Sequence, residues 1–231
     1  MKAARGFKYC LAAAFVVGLV GGLSQSDRMG KTFSTPEQPP CVVRVRAEHQ
    51  NGETEHGSGV LIRSDLVLTA HHVVRDRGTA PVLIEFKGGL VRKCEVIKEN
   101  KKWDLALLQF DSVLFVPARP ADKAAVKKQK VTICGFPGAG GYAEKEGRVV
   151  GFRSPDQESD PYLFVVSNRC ESGMSGGPVF NQDGLVVGTL FGSLKFANCT
   201  GLDAIKEFIN EQPMRRFHGI QNDSGEFDES D

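Results

Sequence analysis

The sequence predicts an all-β fold closed by one short helix. Three observations carry this. Short apolar runs recur from Cys41 onward at spacings of eight to fifteen residues, they are rich in β-branched side chains, and turn residues separate them. No heptad, internal repeat or long amphipathic helix interrupts the series. The pattern fits a sandwich or a barrel.

The first segment stands apart. MKAARGFKYCLAAAFVVGLVGGLSQSD carries Lys2, Arg5 and Lys8, no acid before Asp27, and an apolar run from Tyr9 to Leu23. A basic stretch ahead of an apolar one is the pattern of a secretory signal peptide. The run is shorter than the roughly 20 residues a membrane span needs. With every charge on one side of it, a buried N-terminal helix is the weaker reading. No A-x-A cleavage site is present, and Gly22-Leu23-Ser24 is the nearest approach to one. An uncleaved anchor is therefore the alternative to a cleaved peptide. Either way the chain is expected to be exported, periplasmic or secreted, with no membrane contact beyond its N-terminus.

Residues 25–40 are polar and contain Pro36, Pro39 and Pro40, so they read as a linker. The strands follow in order: CVVRVRAE, GSGVLI, DLVLTA, PVLIEFKGG, CEVIKEN, DLALLQF, KVTICGFP, GRVVGF, YLFVVSN, GGPVFNQDG and LVVGTLFGS. The exception is GLDAIKEFINEQ, residues 201–212, where Leu202, Ile205, Phe208 and Ile209 recur at helical spacing. The expected organisation is thus a leader over 1–24, a linker over 25–40 and one folded domain over 41–212. Residues 213–231 form a polar, acidic-ended tail expected to be disordered.

Composition narrows the function. A hydrophobic fraction of 41% and a charged fraction of 25% are ordinary for a globular protein, and the net charge of +1 favours no polyanionic partner. Without a basic run or zinc-spaced cysteines, nucleic acid is not an expected partner. The acidic stretch at Asp156, Glu158, Ser159 and Asp160 reads as a solvated loop rather than a calcium site. No metal or cofactor is expected. Beyond the leader five cysteines remain: Cys41, Cys94, Cys134, Cys170 and Cys199. The odd count implies at least one free thiol. Cys134, in the apolar run VTICGF, reads as a buried one. Cys170 and Cys199 flank the glycine-rich stretch and are the expected disulfide pair, as export would allow. None sits in a glycine-rich presentation loop, so none reads as a nucleophile.

Three segments carry chemistry. GSGVLIRSDLVLTAHHVV holds His71 and His72, KKWDLALLQF holds Asp104, and ESGMSGGPVFNQDGLVVG holds Ser175 among five glycines. A serine hydroxyl is a poor nucleophile at neutral pH. It needs a base within hydrogen-bond reach, and the base needs an anionic group to fix its tautomer. Histidine titrates near neutrality and suits the base. An aspartate between Trp103 and Leu105 is expected to be partly buried, as an orienting acid requires. Glycines around Ser175 let backbone N–H groups converge on one point, an oxyanion hole in which each donor is worth a factor of ~10²–10³ in rate.

Singly, each segment has a reading as turn or core. Together, in the order His, Asp, Ser on an all-β background, they resemble the chymotrypsin-like serine peptidases, nearest the bacterial HtrA-like and glutamyl-endopeptidase-like branch. The resemblance runs from about Cys41 to Gln212. It implies two six-stranded antiparallel β-barrels with the site in the cleft between them, and a serine endopeptidase acting through an acyl-enzyme on protein or peptide substrates. It implies His72 as base, with His71 the off-by-one alternative, Asp104 as orienting acid and Ser175 as nucleophile. The N–H groups of Gly173 and Ser175 would form the oxyanion hole. VTICGFPGAGG resembles the strand and loop that open the second barrel near the site.

The substrate pocket would lie between Asn168–Ser172 and Thr189–Ser193, near Phe196–Asn198, so Arg169, Cys170, Thr189, Leu190 and Phe191 are its candidates. Arg169 is either solvated or a partner for acidic substrate side chains. No aspartate sits where a Lys/Arg preference would need one. Met174 stands where the digestive branch has an aspartate that pairs with a new N-terminal amine, so that switch is not expected here. No PDZ-like module is expected after the domain. A non-catalytic binding protein on the same fold is the rival reading, and it predicts decay of the triad or its glycines. An esterase of the α/β-hydrolase layout would run Ser–Asp–His instead.

Overall fold

In the computed structural model, which describes residues 36–138, 140–153, 162–193 and 195–210, twelve strands close into two six-stranded barrels. The first holds β1 (Val42–Glu48), β2 (Thr54–Arg63), β3 (Leu66–Thr69), β4 (Val82–Glu85), β5 (Val91–Asn100) and β6 (Leu105–Gln109). Its strand order is β1-β2-β3-β6-β5-β4. The second holds β7 (Lys130–Gly135), β8 (Ala143–Arg153), β9 (Leu163–Val166), β10 (Pro178–Asn181), β11 (Val186–Ser193) and β12 (Ala197–Gly201), ordered β10-β11-β12-β9-β8-β7. All strand pairings within the barrels are antiparallel. Closure leaves no free sheet edge.

The sequence pattern explains the placement. In β1, Val43, Val45 and Ala47 are buried while Arg44 and Arg46 are half-exposed, the alternation of a strand with one face in the core. Register shifts in β2–β3, β5–β6, β8–β9, β10–β11 and β11–β12 bend the strands as closure requires. One helix, α2 (Leu202–Asn210), ends the described chain. Its Leu202 packs in the second barrel's core, while Ala204, Ile205 and Phe208 join the first. The helix therefore ties the barrels together. Lys98 of β5 adds to the tie, donating to the Phe208 carbonyl with its ammonium 4.7 Å from that ring's centre. So does the Thr200 hydroxyl, which donates to the Trp103 carbonyl at 2.7 Å.

Some expectations need correction. The Cys170–Cys199 disulfide is not formed: both thiols are free and pack as small apolar groups in the second core. Burial pushes the Cys170 thiol up to about 11 and the Cys199 thiol well above its ordinary value. β8 runs eleven residues, well beyond GRVVGF, because its polar first half pairs with β7 without needing an apolar run. β12, sequence ANCTG, carries no apolar alternation and is held as a strand between β9 and β11. The helix starts at Leu202 rather than Gly201, which still belongs to β12. The leader, the acidic stretch 156–160 and the C-terminal tail lie outside the described residues.

Candidate active site

The first barrel supplies two side chains. His72 lies in α1 (His71–Val74), a single helical turn directly after β3, anchored by buried Val73 and Val74. Asp104 closes the turn between β5 and β6 in the left-handed region, with φ +52°. Aspartate tolerates that region better than most residues, though it costs on the order of 1 kcal/mol. Hydrogen bonds hold the turn. Asn100 Oδ1 accepts the Trp103 N–H at 3.0 Å, and the His71 N–H donates to the Asp104 carbonyl at 3.1 Å.

The Asp104 carboxylate then receives His72 twice. Oδ1 accepts the His72 backbone N–H at 2.8 Å, and Oδ2 accepts from the ring Nδ1 at 2.6 Å. An ionised carboxylate can only accept, so this contact keeps the proton on Nδ1 and leaves Nε2 free to accept another. The Asp104 side chain is 18% exposed, partly buried as the sequence led one to expect. His71 turns away from the cleft. Its Nδ1 lies 3.2 Å from Glu99 Oε1 at an angle too poor for a hydrogen bond, and Glu99 is also gripped by Arg77 at 3.1 and 3.3 Å.

The second barrel supplies a loop. Four successive carbonyls around Ser175 are each occupied. Ser172 O accepts from Gly138 N–H at 2.7 Å and Gly173 O from the Ser58 hydroxyl at 2.8 Å. Met174 O accepts from Gly177 N–H at 3.0 Å and Ser175 O from Ser58 N–H at 2.7 Å. By contrast, the N–H groups of Gly173 and Ser175 meet no protein acceptor among the described residues. Gly173 has φ +91°, and a side chain there would meet Phe136 O at 2.6 Å. Gly176 has φ +83°, and a Cβ would reach Ala70 N at 2.7 Å. Only glycine fits either position. Met174 is fully buried in the second core and anchors the loop from below.

His72 and Ser175 meet at one cleft of about 640 Å³, within the range of ligand sites. Arg169, Cys170, Glu171 and Ser172 form one wall, and Leu190 to Ser193 the other. No hydrogen bond joins the Ser175 hydroxyl to His72 among the described residues, and such bonds often tighten only on substrate binding. Of the pocket candidates, Arg169, Cys170, Leu190 and Phe191 line the cleft. Thr189 does not: it is buried and paired with Pro178 and Thr200, whereas the lining residues Leu190 to Ser193 fall at and beyond the register shift of β11. Glu171 is bound by Lys145 at 2.7 Å, whereas exposed Arg169 has no acidic partner among the described residues. These residues include no group of three or more His, Cys, Asp or Glu side chains placed to hold a metal.

Ser58 escaped the sequence reading. It is fully buried in β2, yet its hydroxyl and backbone bind Gly173, Ser175 and Phe136, the last at 2.9 Å. Its signal was the pair of flanking glycines. A Cβ at Gly57 would strike Val73, and one at Gly59 would strike Val67, so this strand passes close to its neighbours.

Two antiparallel barrels, a histidine–aspartate pair on one and a glycine-held serine on the other, define the chymotrypsin-like class of fold. The chain belongs to the trypsin-like peptidase domain family, whose family model matches residues 57–188, more than half of its length. It is 26% identical over 163 residues to serine protease Rv3671c of Mycobacterium tuberculosis, covering 67% of this chain and 40% of that protein. It is 30% identical over 157 residues to a probable periplasmic serine endoprotease, DegP-like, of Pseudomonas putida, covering 66% and 32%. The chain thus spans well under half the length of these curated relatives. Among solved structures, the active form of Rv3671c superimposes with a TM-score of 0.66 at 23% identity, over 74% of this chain and 79% of that one. A serine endoprotease from Yersinia pestis gives 0.66 at 18% identity, over 74% and 62%. These likenesses establish the fold.

Proposed function

We propose that the chain is a serine endopeptidase that cleaves protein or peptide substrates through Ser175, His72 and Asp104. The observation that carries this reading is the pair of N–H groups, on Gly173 and Ser175, left without acceptors among the described residues, in the loop that faces a histidine oriented by Asp104. Ser175 Oγ attacks the scissile carbonyl carbon while His72 Nε2 takes its proton. The oxyanion rests on the two N–H groups. Collapse breaks the C–N bond, and the leaving amine takes the proton from His72. Water then repeats the sequence on the acyl-enzyme, with Asp104 ionised throughout. Export of the chain fits its basic-then-apolar leader and the periplasmic assignment in the name of its Pseudomonas relative.

Labelling of the full chain with a fluorophosphonate probe tests the reading without knowledge of the substrate. Labelling that Ser175→Ala and His72→Ala both abolish is the expected result. A folded, unlabelled parent protein would favour the non-catalytic binding protein instead.

The cleft also has a charge preference. With Glu171 bound by Lys145, Arg169, which has no acidic partner among the described residues, leaves the cleft positive. Substrates with an acidic side chain near the cut are favoured over neutral isosteres by roughly fivefold, the ~1 kcal/mol of a solvated ion pair. Arg169→Ala should level a Glu/Gln peptide pair, and an unchanged ratio would refute the preference.

A further inference from the structure

We propose that Arg44, on the outer face of β1, is a positioning residue that sets the oxyanion hole from the opposite barrel. The inference rests on the serine-peptidase reading of the cleft. Arg44 is half-buried and belongs to the first barrel, but its guanidinium lies across the β7–β8 connection of the second. It donates to the carbonyls of Gly138, at 3.4 Å, and Gly140, and its Cζ stands 4.8 Å from the centre of the Phe136 ring. No carboxylate pairs with it among the described residues. Its donors are spent on holding backbone. The Phe136 ring that it covers also meets Tyr142, edge to face at 5.9 Å.

What that backbone does next connects it to chemistry. The Gly138 N–H donates to Ser172 O at 2.7 Å. A trans peptide points its carbonyl and its N–H in opposite directions. With the Ser172 carbonyl drawn to Gly138, the Gly173 N–H is turned away from that connection, to the side where it meets no protein acceptor. If Gly138 moves off, the Ser172–Gly173 peptide loses the bond that fixes its orientation, and a rotated peptide would present a carbonyl where the oxyanion needs a donor. Glycine-rich backbone holds such a position poorly on its own: Gly138 is in the left-handed region at φ +49°, and no atom lies within 4 Å of where its Cβ would stand. A planar guanidinium spanning two carbonyls supplies the missing rigidity. Arg44 touches neither His72 nor Ser175 and does not line the cleft. Its influence therefore runs through Gly138.

The test uses the full chain and a fluorophosphonate probe, whose phosphoryl oxygen develops charge in the hole, and separates the maximal inactivation rate from the probe's apparent dissociation constant. Arg44→Met keeps the apolar stem and removes the donors, while Arg44→Lys keeps the charge and one donor group. The expected result is a maximal rate about tenfold lower for Arg44→Met, part of the ~10²–10³ one donor is worth. The dissociation constant should stay within about twofold, and Arg44→Lys should recover part of the rate. Three outcomes would overturn the proposal: an unchanged rate in Arg44→Met, a loss confined to the dissociation constant, or equal losses in both variants matched by equal falls in Tm. Should Arg44→Met not fold, Arg44→Gln, which retains an amide donor, is judged on the same two constants. An unlabelled parent protein would instead sink the peptidase reading itself.

Discussion

The two barrels contribute in different currencies. The first gives side chains: the His72 imidazole, the Asp104 carboxylate and the Ser58 hydroxyl. The second gives backbone: a loop whose carbonyls from Ser172 to Ser175 are occupied and whose N–H groups at Gly173 and Ser175 meet no acceptor among the described residues. Ser175 itself is a second-barrel side chain, but its loop is bound by Ser58 and packs against Ala70 from across the cleft. The comparison teaches that the second barrel does not shape its reactive loop alone. Its geometry is completed by the first.

The sharpest break is at Ser175. Ser175→Ala should lower activity on the order of 10⁶-fold while leaving stability near that of the parent, since the hydroxyl has no structural bond; turnover of a protein substrate and urea unfolding check both halves. Asp104→Asn tests the first barrel's side of the bargain. It keeps the shape but changes the tautomer of His72, and should cost roughly 10⁴-fold in kcat with little change in KM. Ser58→Ala tests the link between barrels. It strands the buried Gly173 carbonyl and Phe136 N–H, so unfolding should need about 1–3 kcal/mol less, and fluorophosphonate labelling should slow as the loop loosens. A variant as stable and as reactive as the parent would show that the second barrel shapes its loop alone.

The smallest effect touches both barrels alike. Cys94 in the first and Cys170 in the second have their thiols pushed by burial up to about 12 and about 11, against an ordinary 9.0. The folded state thus holds its thiol protons more tightly than the unfolded chain. That part of the stability is complete below about pH 9 and is lost as pH rises through 11 and then 12. Urea midpoints measured from pH 8 to 11 should fall, and Cys94→Ser should flatten the upper part of that fall.

How much of this was legible in the sequence follows the same division. Side chains announce themselves: that His72, Asp104 and Ser175 come together was readable because their residue types and order match one fold. Apolar strands such as β1 and β6 were readable for the same reason. Backbone contributions were not. β12 has no alternation because its neighbours on both sides supply its pairing. Thr189 was misjudged because it lies just before the register shift at which β11 begins to line the cleft, and a bulge leaves no mark in the local sequence pattern. The Cys170–Cys199 pair was inferred from flanking positions, while the protein uses both sulfurs as packing. Ser58 and Arg44 act at sequence distances of 115 and 94 residues from their partners, and no local pattern records such contacts.

Met174 gives the last consequence. The residue beneath Ser175 is held by the exclusion of water and carries no charge. An anchor of that kind has no counter-ion for salt to screen and no proton for acid to add. The loop should therefore keep its form across ionic strengths that would loosen an ionic latch. Its weakness lies elsewhere, in the thioether: oxidation to the sulfoxide would place a polar group where the core admits none, and the loop would come adrift from below.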